Sequence, residues 1–141
     1  ATWAITLKDD TALDDFEILK SVIKDFGANT VMTTPQEHDK AVALISHAPM
    51  LVAQALCKNI ESNELAQKLA SSGFRDTTRL ALSNTEMAND MIMMNSENIK
   101  DVVTLLDKNI DAILESNYKK EAEHIKDFRQ NLQKCSKKLH H

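Results

Sequence analysis

Residues 34 to 57 read TPQEHDKAVALISHAPMLVAQALC, and the last seventeen of them, Ala41 to Cys57, carry no charge. The stretch opens on a strong helix start. Thr34 stands as N-cap, Pro35 takes the first helical position, and Glu37 closes a capping box. The uncharged run is short of the roughly 20 apolar residues that a bilayer span needs, and it carries Ser46, His47, Pro49 and Gln54. It therefore reads as a core helix running to about Lys58, with no membrane expected. A chain of 141 residues rarely surrounds a whole helix, so a second subunit is expected to cover part of it. Pro49 lies inside the helix, where its missing N–H and its clash with the carbonyl of Ile45 cost about 3 kcal/mol or more. A disruption is expected between Ile45 and Pro49, leaving carbonyls free beside His47.

Upstream, Trp3 to Thr6 (WAIT) reads as a strand. Thr11 and Asp14 give a helix start signal, and Leu13, Phe16, Leu19, Val22, Ile23 and Phe26 follow at helical spacing. Gly27 stands where a left-handed residue ends such a helix. Asn29 to Thr33 (NTVMT) is a second strand. Strand, helix and strand in this span form a βαβ unit with parallel strands. Parallel pairs do not stand alone, so residues 1–34 read as the end of a larger α/β domain that starts before Ala1.

Downstream, a helix is expected over about Asn63 to Ser71. Ser83-Asn84-Thr85-Glu86 reads as a capping box before a helix in which Met87, Met91 and Met94 serve as packing material. Apolar residues then recur at 99, 103, 106, 110 and 113, and again at 125, 128, 132, 135 and 139, the seam of a helical bundle. The polar break Glu115-Ser116-Asn117 is a turn between two helices or a skip within one.

A net charge of −4 leaves no basic footprint, so nucleic acid is not expected as a partner. Cys57 and Cys135 have neither metal-type nor redox-type spacing and read as free thiols, which points to the cytoplasm. His38 and His47 lie about 180° apart around one helix and cannot share a metal. His124 reads as solvated surface. Leu139-His140-His141 resembles the end of a purification tag and is left out of any metal argument. No metal site is expected. The two glycines, Gly27 and Gly73, are too far apart for a phosphate-cradling loop.

Residues 73–79, GFRDTTR, hold two of the three arginines in a chain whose other 14 basic residues are lysines. Arginine suits sites where a planar, permanent cation meets a carboxylate or phosphate in fixed geometry. On a helix Arg75 and Arg79 would share a face and repel one another unless an anion lay between them, while Asp76 could orient Arg79. The competing reading is a surface helix start with an Arg–Asp ion pair of little energetic weight. For His47 the competing reading is a hydrogen-bonded core histidine.

HDKAVALISHAPM at 38–50 followed by GFRDTTRLALSNTEMANDM at 73–91 resembles the prephenate/arogenate dehydrogenase family. That family typically shows H-D-x-x-x-A-x-x-S-H-x-P-H, then G-F-[RK]-D-x-T-R, then a helix often containing Met-Trp-x-Asp. His38, Asp39, Ser46, His47, Pro49, Gly73, Phe74, Arg75, Asp76, Thr78 and Arg79 match, in the same order and at similar separation, and the resemblance spans about residues 1 to 115. Met50 stands where the second histidine is usual, and Ala88 where the tryptophan is often found; both family positions lie near the substrate or the partner subunit.

The resemblance implies a mainly α fold: an all-helical dimerisation domain over 35–141, preceded over 1–34 by a terminal βαβ remnant of a Rossmann-like nucleotide-binding domain. It implies NAD- or NADP-dependent oxidative decarboxylation of prephenate or arogenate in tyrosine biosynthesis, by a homodimer with tyrosine as a possible feedback ligand. The catalytic histidine and serine of the family belong to the nucleotide-binding domain, so no catalytic residue is expected in this chain, which by itself would be inactive. Carried over by position, Arg79 holds a substrate carboxylate, and Arg75 and Asp76 stand at the mouth of the site. Ser72 and Gly73 lie near the substrate ring, and His47 supports the pocket. Two other readings remain open: a non-enzymatic helical interaction module using the seam from Ile99 to Leu139, and a different two-domain dehydrogenase with a helical dimer domain.

Overall fold

A computed structural model of the chain describes residues 1–7 and 13–138. Thr11, Leu139, His140 and His141, and the side chains of Leu13 and Cys135, lie outside the described residues. The remaining residues form a parallel strand pair and a series of helices in two compact units, one built from the segment up to His38 and from Lys108 onward, the other from Asp39 to Asp107.

In the first unit, strand β1 (Thr2–Thr6), helix α1 (Leu13–Asp25) and strand β2 (Asn29–Thr33) make the βαβ element. The strands pair in parallel with Thr2 opposite Asn29 and Thr6 opposite Thr33. Ile5, Phe16 and Ile23 are buried together, with Leu7 and Ala28 packed against them. Helix α1 ends in a complete Schellman motif: Ala28 N–H bonds the Ile23 carbonyl at 3.2 Å and Gly27 N–H that of Lys24 at 2.8 Å. Gly27 has φ +70°, the left-handed conformation that only glycine adopts cheaply. Trp3, Val31, Met32 and Phe26 stay exposed, because one helix covers only part of a two-stranded sheet.

The helix start at Thr34 forms as its sequence requires. Glu37 N–H donates to Thr34 Oγ1 at 3.2 Å, and Thr34 N–H donates back to Glu37 Oε2 at 3.0 Å. Helix α2 (Pro35–Val42) then passes into a π-helical turn over Ala43–His47 before helix α3 (Ala48–Asn59). Across that turn Ala48 N–H bonds the carbonyl of Ala43, five residues back. The extra residue in the turn is how the helix admits Pro49, which has no N–H to give to Ile45. The disruption expected between Ile45 and Pro49 thus takes the form of a π bulge.

By length and composition the helical segment Pro35–Asn59 is apolar enough to cross a membrane, its most apolar 18-residue window having a mean hydropathy of 1.4. Four of its residues, Ala43, Ala48, Met50 and Ala53, are buried in the second unit, joined there by Ala88 and Ile99. Most of these side chains are small, which lets helix backbones approach closely. Ile45 remains exposed, so the chain alone leaves much of this apolar helix uncovered.

Helix α4 (Glu64–Leu69) is capped by Asn63, whose side chain accepts from Ala66 N–H. Helix α5 (Ser72–Thr77) leads to a 3-10 turn over Arg79–Leu82, which packs on α3. Helix α6 (Thr85–Met94) starts one residue later than its capping signal suggests: Asn84, not Ser83, is the N-cap, accepting from Met87 N–H at 3.0 Å. Ser83 donates instead to the Leu80 carbonyl at 2.7 Å. Of the methionines of α6, Met91 is half-buried, whereas Met87, Met93 and Met94 are exposed. Helices α7 (Ser96–Glu115) and α8 (Tyr118–Lys138) are separate, so the break at Ser116-Asn117 is a turn. Ile110, Ile125, Phe128 and Leu132 of the apolar seam are exposed, and a cleft of about 400 Å³ lies at the elbow between Ile113 and Phe128.

Candidate functional site

All six sequence-predicted site residues, His47, Ser72, Gly73, Arg75, Asp76 and Arg79, fall in the second unit. They are carried by the π turn, by α5 and by the 3-10 turn. The π turn runs directly into α3, and the 3-10 turn packs against α3, so both His47 and Arg79 lie on elements that border this helix.

The GFRDTTR segment is not one continuous helix. α5 stops at Thr77, Thr78 sits at φ −95°, ψ 8°, and Arg79 begins the 3-10 turn. The two threonines explain the stop. Thr77 Oγ1 donates to the Gly73 carbonyl at 2.8 Å and Thr78 Oγ1 to the Phe74 carbonyl at 2.7 Å, satisfying groups at the helix end. Thr78 is only 7% exposed, so the backbone just before Arg79 is anchored in the core while Arg79 itself reaches solvent. Arg75 and Arg79 therefore do not lie on one continuous α-helix. Nor does Asp76 orient Arg79. Among the described residues the ion pairs are lysine–glutamate contacts such as Lys20–Glu17 and Lys100–Glu97, and neither arginine joins one. A charged fork on a buried stalk, with no carboxylate paired to it among the described residues, suits an anion from outside.

Ser72 and Gly73 form the first turn of α5 and are exposed. Gly73 has no positive φ, and a Cβ built there meets nothing within 4 Å. Neither the backbone nor the packing of this chain calls for glycine at that position. Gly73→Ala is expected to leave stability unchanged or raise it by up to about 1 kcal/mol, the helix preference of Ala over Gly. A urea titration checks this. With stability intact, a raised KM in the same variant would locate the need for glycine on the substrate side.

His47 lies at the end of the π turn and is half-buried. Its Nδ1 is 3.2 Å from Asn95 Nδ2, and the same Nδ2 donates to the Asp39 carbonyl at 2.7 Å. Asn95 Oδ1 accepts from Asn98 Nδ2 at 2.7 Å. Asn95, 7% exposed, thus ties α2, the π turn and the start of α7 together. The sequence reading passed over Asn95, since an asparagine between two helices looks like an ordinary cap. The available signal was its place next to the Met-rich helix, and that carries no chemistry of its own.

Met50 and Ala88, the two departures from the family pattern, are 2% and 5% exposed. In this chain both belong to the interior of the second unit rather than to a surface open to a ligand. The clefts within that unit, one beside Leu44, Pro49, Val52 and Leu106 and one beside Lys40, Asn98 and Asp101, are lined by other residues than the six. No hydrogen bond or ion pair among the described residues joins Arg79 to His47.

The fold defines a class: an all-helical domain preceded by a small βαβ element. Residues 34–134 match the family model described as prephenate dehydrogenase, dimerization domain. The chain is 32% identical over 143 aligned residues to a prephenate dehydrogenase of Bacillus subtilis, an alignment covering 94% of this chain and 38% of that protein. Its fold is similar to that of Synechocystis arogenate dehydrogenase, with a TM-score of 0.72 and 28% identity over 97% of this chain and 51% of that one. A prephenate dehydrogenase from Aquifex aeolicus, solved with hydroxyphenyl propionate and NAD+, shares the fold at a TM-score of 0.73 and 23% identity, over 98% of this chain and 50% of that one. The chain belongs to the prephenate/arogenate dehydrogenase family, and corresponds to its C-terminal part.

Proposed function

We propose that this chain is the dimer-forming, substrate-binding half of an NAD- or NADP-dependent dehydrogenase that oxidatively decarboxylates prephenate, or arogenate, toward tyrosine. Arg79 carries the proposal: it is an exposed guanidinium on a buried threonine stalk, paired with no carboxylate among the described residues. In this reading Arg79 clamps a substrate carboxylate, Arg75 and Asp76 stand at the entrance, and Ser72 and Gly73 pass their backbone close to the ring. His47 shapes the pocket wall.

The nicotinamide, when bound, would take the hydride released as the ring becomes aromatic and CO2 leaves. The residues of this chain do not fit its phosphates: Gly27 closes helix α1 and Gly73 lies inside α5, so neither belongs to a phosphate loop. We assign the cofactor and the catalytic groups to residues outside the chain, and the βαβ element to the end of the domain that holds them. The homodimer is part of the same proposal. Exposed Ile45, Leu82, Met94, Leu114 and Phe128 give a second copy apolar surface to cover, and the matched family description favours it. A cytoplasmic location without membrane or nucleic-acid partners, and regulation by tyrosine, complete it; free Cys57 supports the location.

The experiment compares the 141-residue chain with a full-length protein containing it, supplied with prephenate or arogenate and either nicotinamide cofactor. The full-length protein is expected to turn over one of the acids and the chain alone to give no turnover. Turnover by the chain alone would place catalytic groups within it and overturn the assignment.

A further inference from the structure

We infer that Asn95 is a positioning residue that acts through His47: it fixes the ring as the neutral Nε2–H tautomer, so that His47 offers an N–H donor to an oxygen of the substrate. The inference rests on the reading of His47 as part of a substrate pocket and adds the residue that sets its chemistry.

The orientation of the Asn95 amide is set by its partners. Its Nδ2 has two hydrogens and two acceptors in reach, the Asp39 carbonyl at 2.7 Å and His47 Nδ1 at 3.2 Å. Turned over, the amide would set Oδ1 against the Asp39 backbone carbonyl, acceptor against acceptor. The amide therefore has one satisfied orientation. In that orientation Nδ1 of His47 receives a hydrogen bond, and a ring nitrogen that accepts carries no proton. The single proton of the neutral ring sits on Nε2.

Among the described residues Nε2 has no hydrogen-bond partner, yet no buried polar side-chain atom is left unsatisfied. Nε2 therefore reaches solvent, where a ligand oxygen can meet it. A carboxylate or carbonyl oxygen is the chemistry that such a donor selects. The π turn contributes by placing His47 on a helix wall that already departs from α-helical bonding, with α3 behind it.

The test has two arms in the full-length protein. In the first, histidine ring nitrogens are labelled with 15N and read by long-range correlation NMR, the His47 signal being assigned by its loss in His47→Gln. Nδ1 is expected to be unprotonated and Nε2 protonated; the opposite pattern overturns the inference without needing any variant at Asn95 to fold. The second arm is a double-mutant cycle read as KM for prephenate. Asn95→Ala and His47→Phe are each expected to raise KM about tenfold with kcat little changed, the size of one lost hydrogen bond to a charged acceptor. In the His47→Phe background, Asn95→Ala should add almost nothing, because its effect passes through the ring. An undiminished effect there would make Asn95 a purely structural staple and overturn the inference. If His47→Phe leaves KM unchanged while Arg79→Ala raises it, the arginine site stands and this inference falls. If neither changes KM, the site reading falls and takes the inference with it.

Discussion

Arg79→Ala in the full-length protein is expected to raise KM for prephenate by roughly 10- to 100-fold and to leave kcat nearly unchanged. The range follows from the roughly 1.5–3 kcal/mol that a hydrogen bond to a charged group contributes, at about 1.4 kcal/mol per factor of ten. An effect confined to KM is the signature of binding that is equal in ground and transition states, as a remote carboxylate clamp would supply. Loss of fold is not the expected cause, since Arg79 is exposed and makes no ion pair among the described residues. Arg79→Lys distinguishes charge from shape. It should recover only part of the loss, because an ammonium cannot present two parallel N–H groups to a carboxylate. An unchanged KM in Arg79→Ala would remove the anchor of the proposed site.

Met50→Ala is expected to lower stability by about 2–5 kcal/mol, the usual range for emptying a buried Met or Leu site. Met50 is 2% exposed and sits on α3, the helix against which the 3-10 turn packs. The loss is large beside the roughly 5–15 kcal/mol that holds a whole domain. Met50→His, which restores the residue usual in the family, should also destabilise, by about 1–3 kcal/mol, unless the imidazole finds a partner. Urea denaturation of the 141-residue chain measures both. A Met50→His variant as stable as the parent would show that position 50 is not sealed in the way its burial indicates. The site would then have room for a polar residue that this chain has given up.

The pattern of what could be read beforehand follows from the range of the interactions. The capping box at Thr34 and the Schellman end at Gly27 each involve residues within five positions of one another, and both form as read. Pro49 announced a broken helix, because its missing N–H is a covalent fact. Its neighbours chose a π bulge instead of a simple kink. Asn84 displaced Ser83 as a cap by a single residue, a choice between two adjacent side chains of nearly equal capping preference. The exposure of Met87, Met93 and Met94 was hidden because an apolar helix face looks the same whether its own chain or a second subunit covers it.

By itself the sequence determined the local elements, the parallel βαβ start, the break at Pro49 and, through GFRDTTR and the S-H-x-P run, the family. Those signals are short-range and survive without neighbours. The tertiary structure decided that the helix breaks at Thr78 between Arg75 and Arg79, that Met50 and Ala88 lie inside, and that His47 is held by Asn95 from 48 residues away. Each of these depends on which groups lose contact with water and which polar partners remain for them, and no spacing along the chain specifies that.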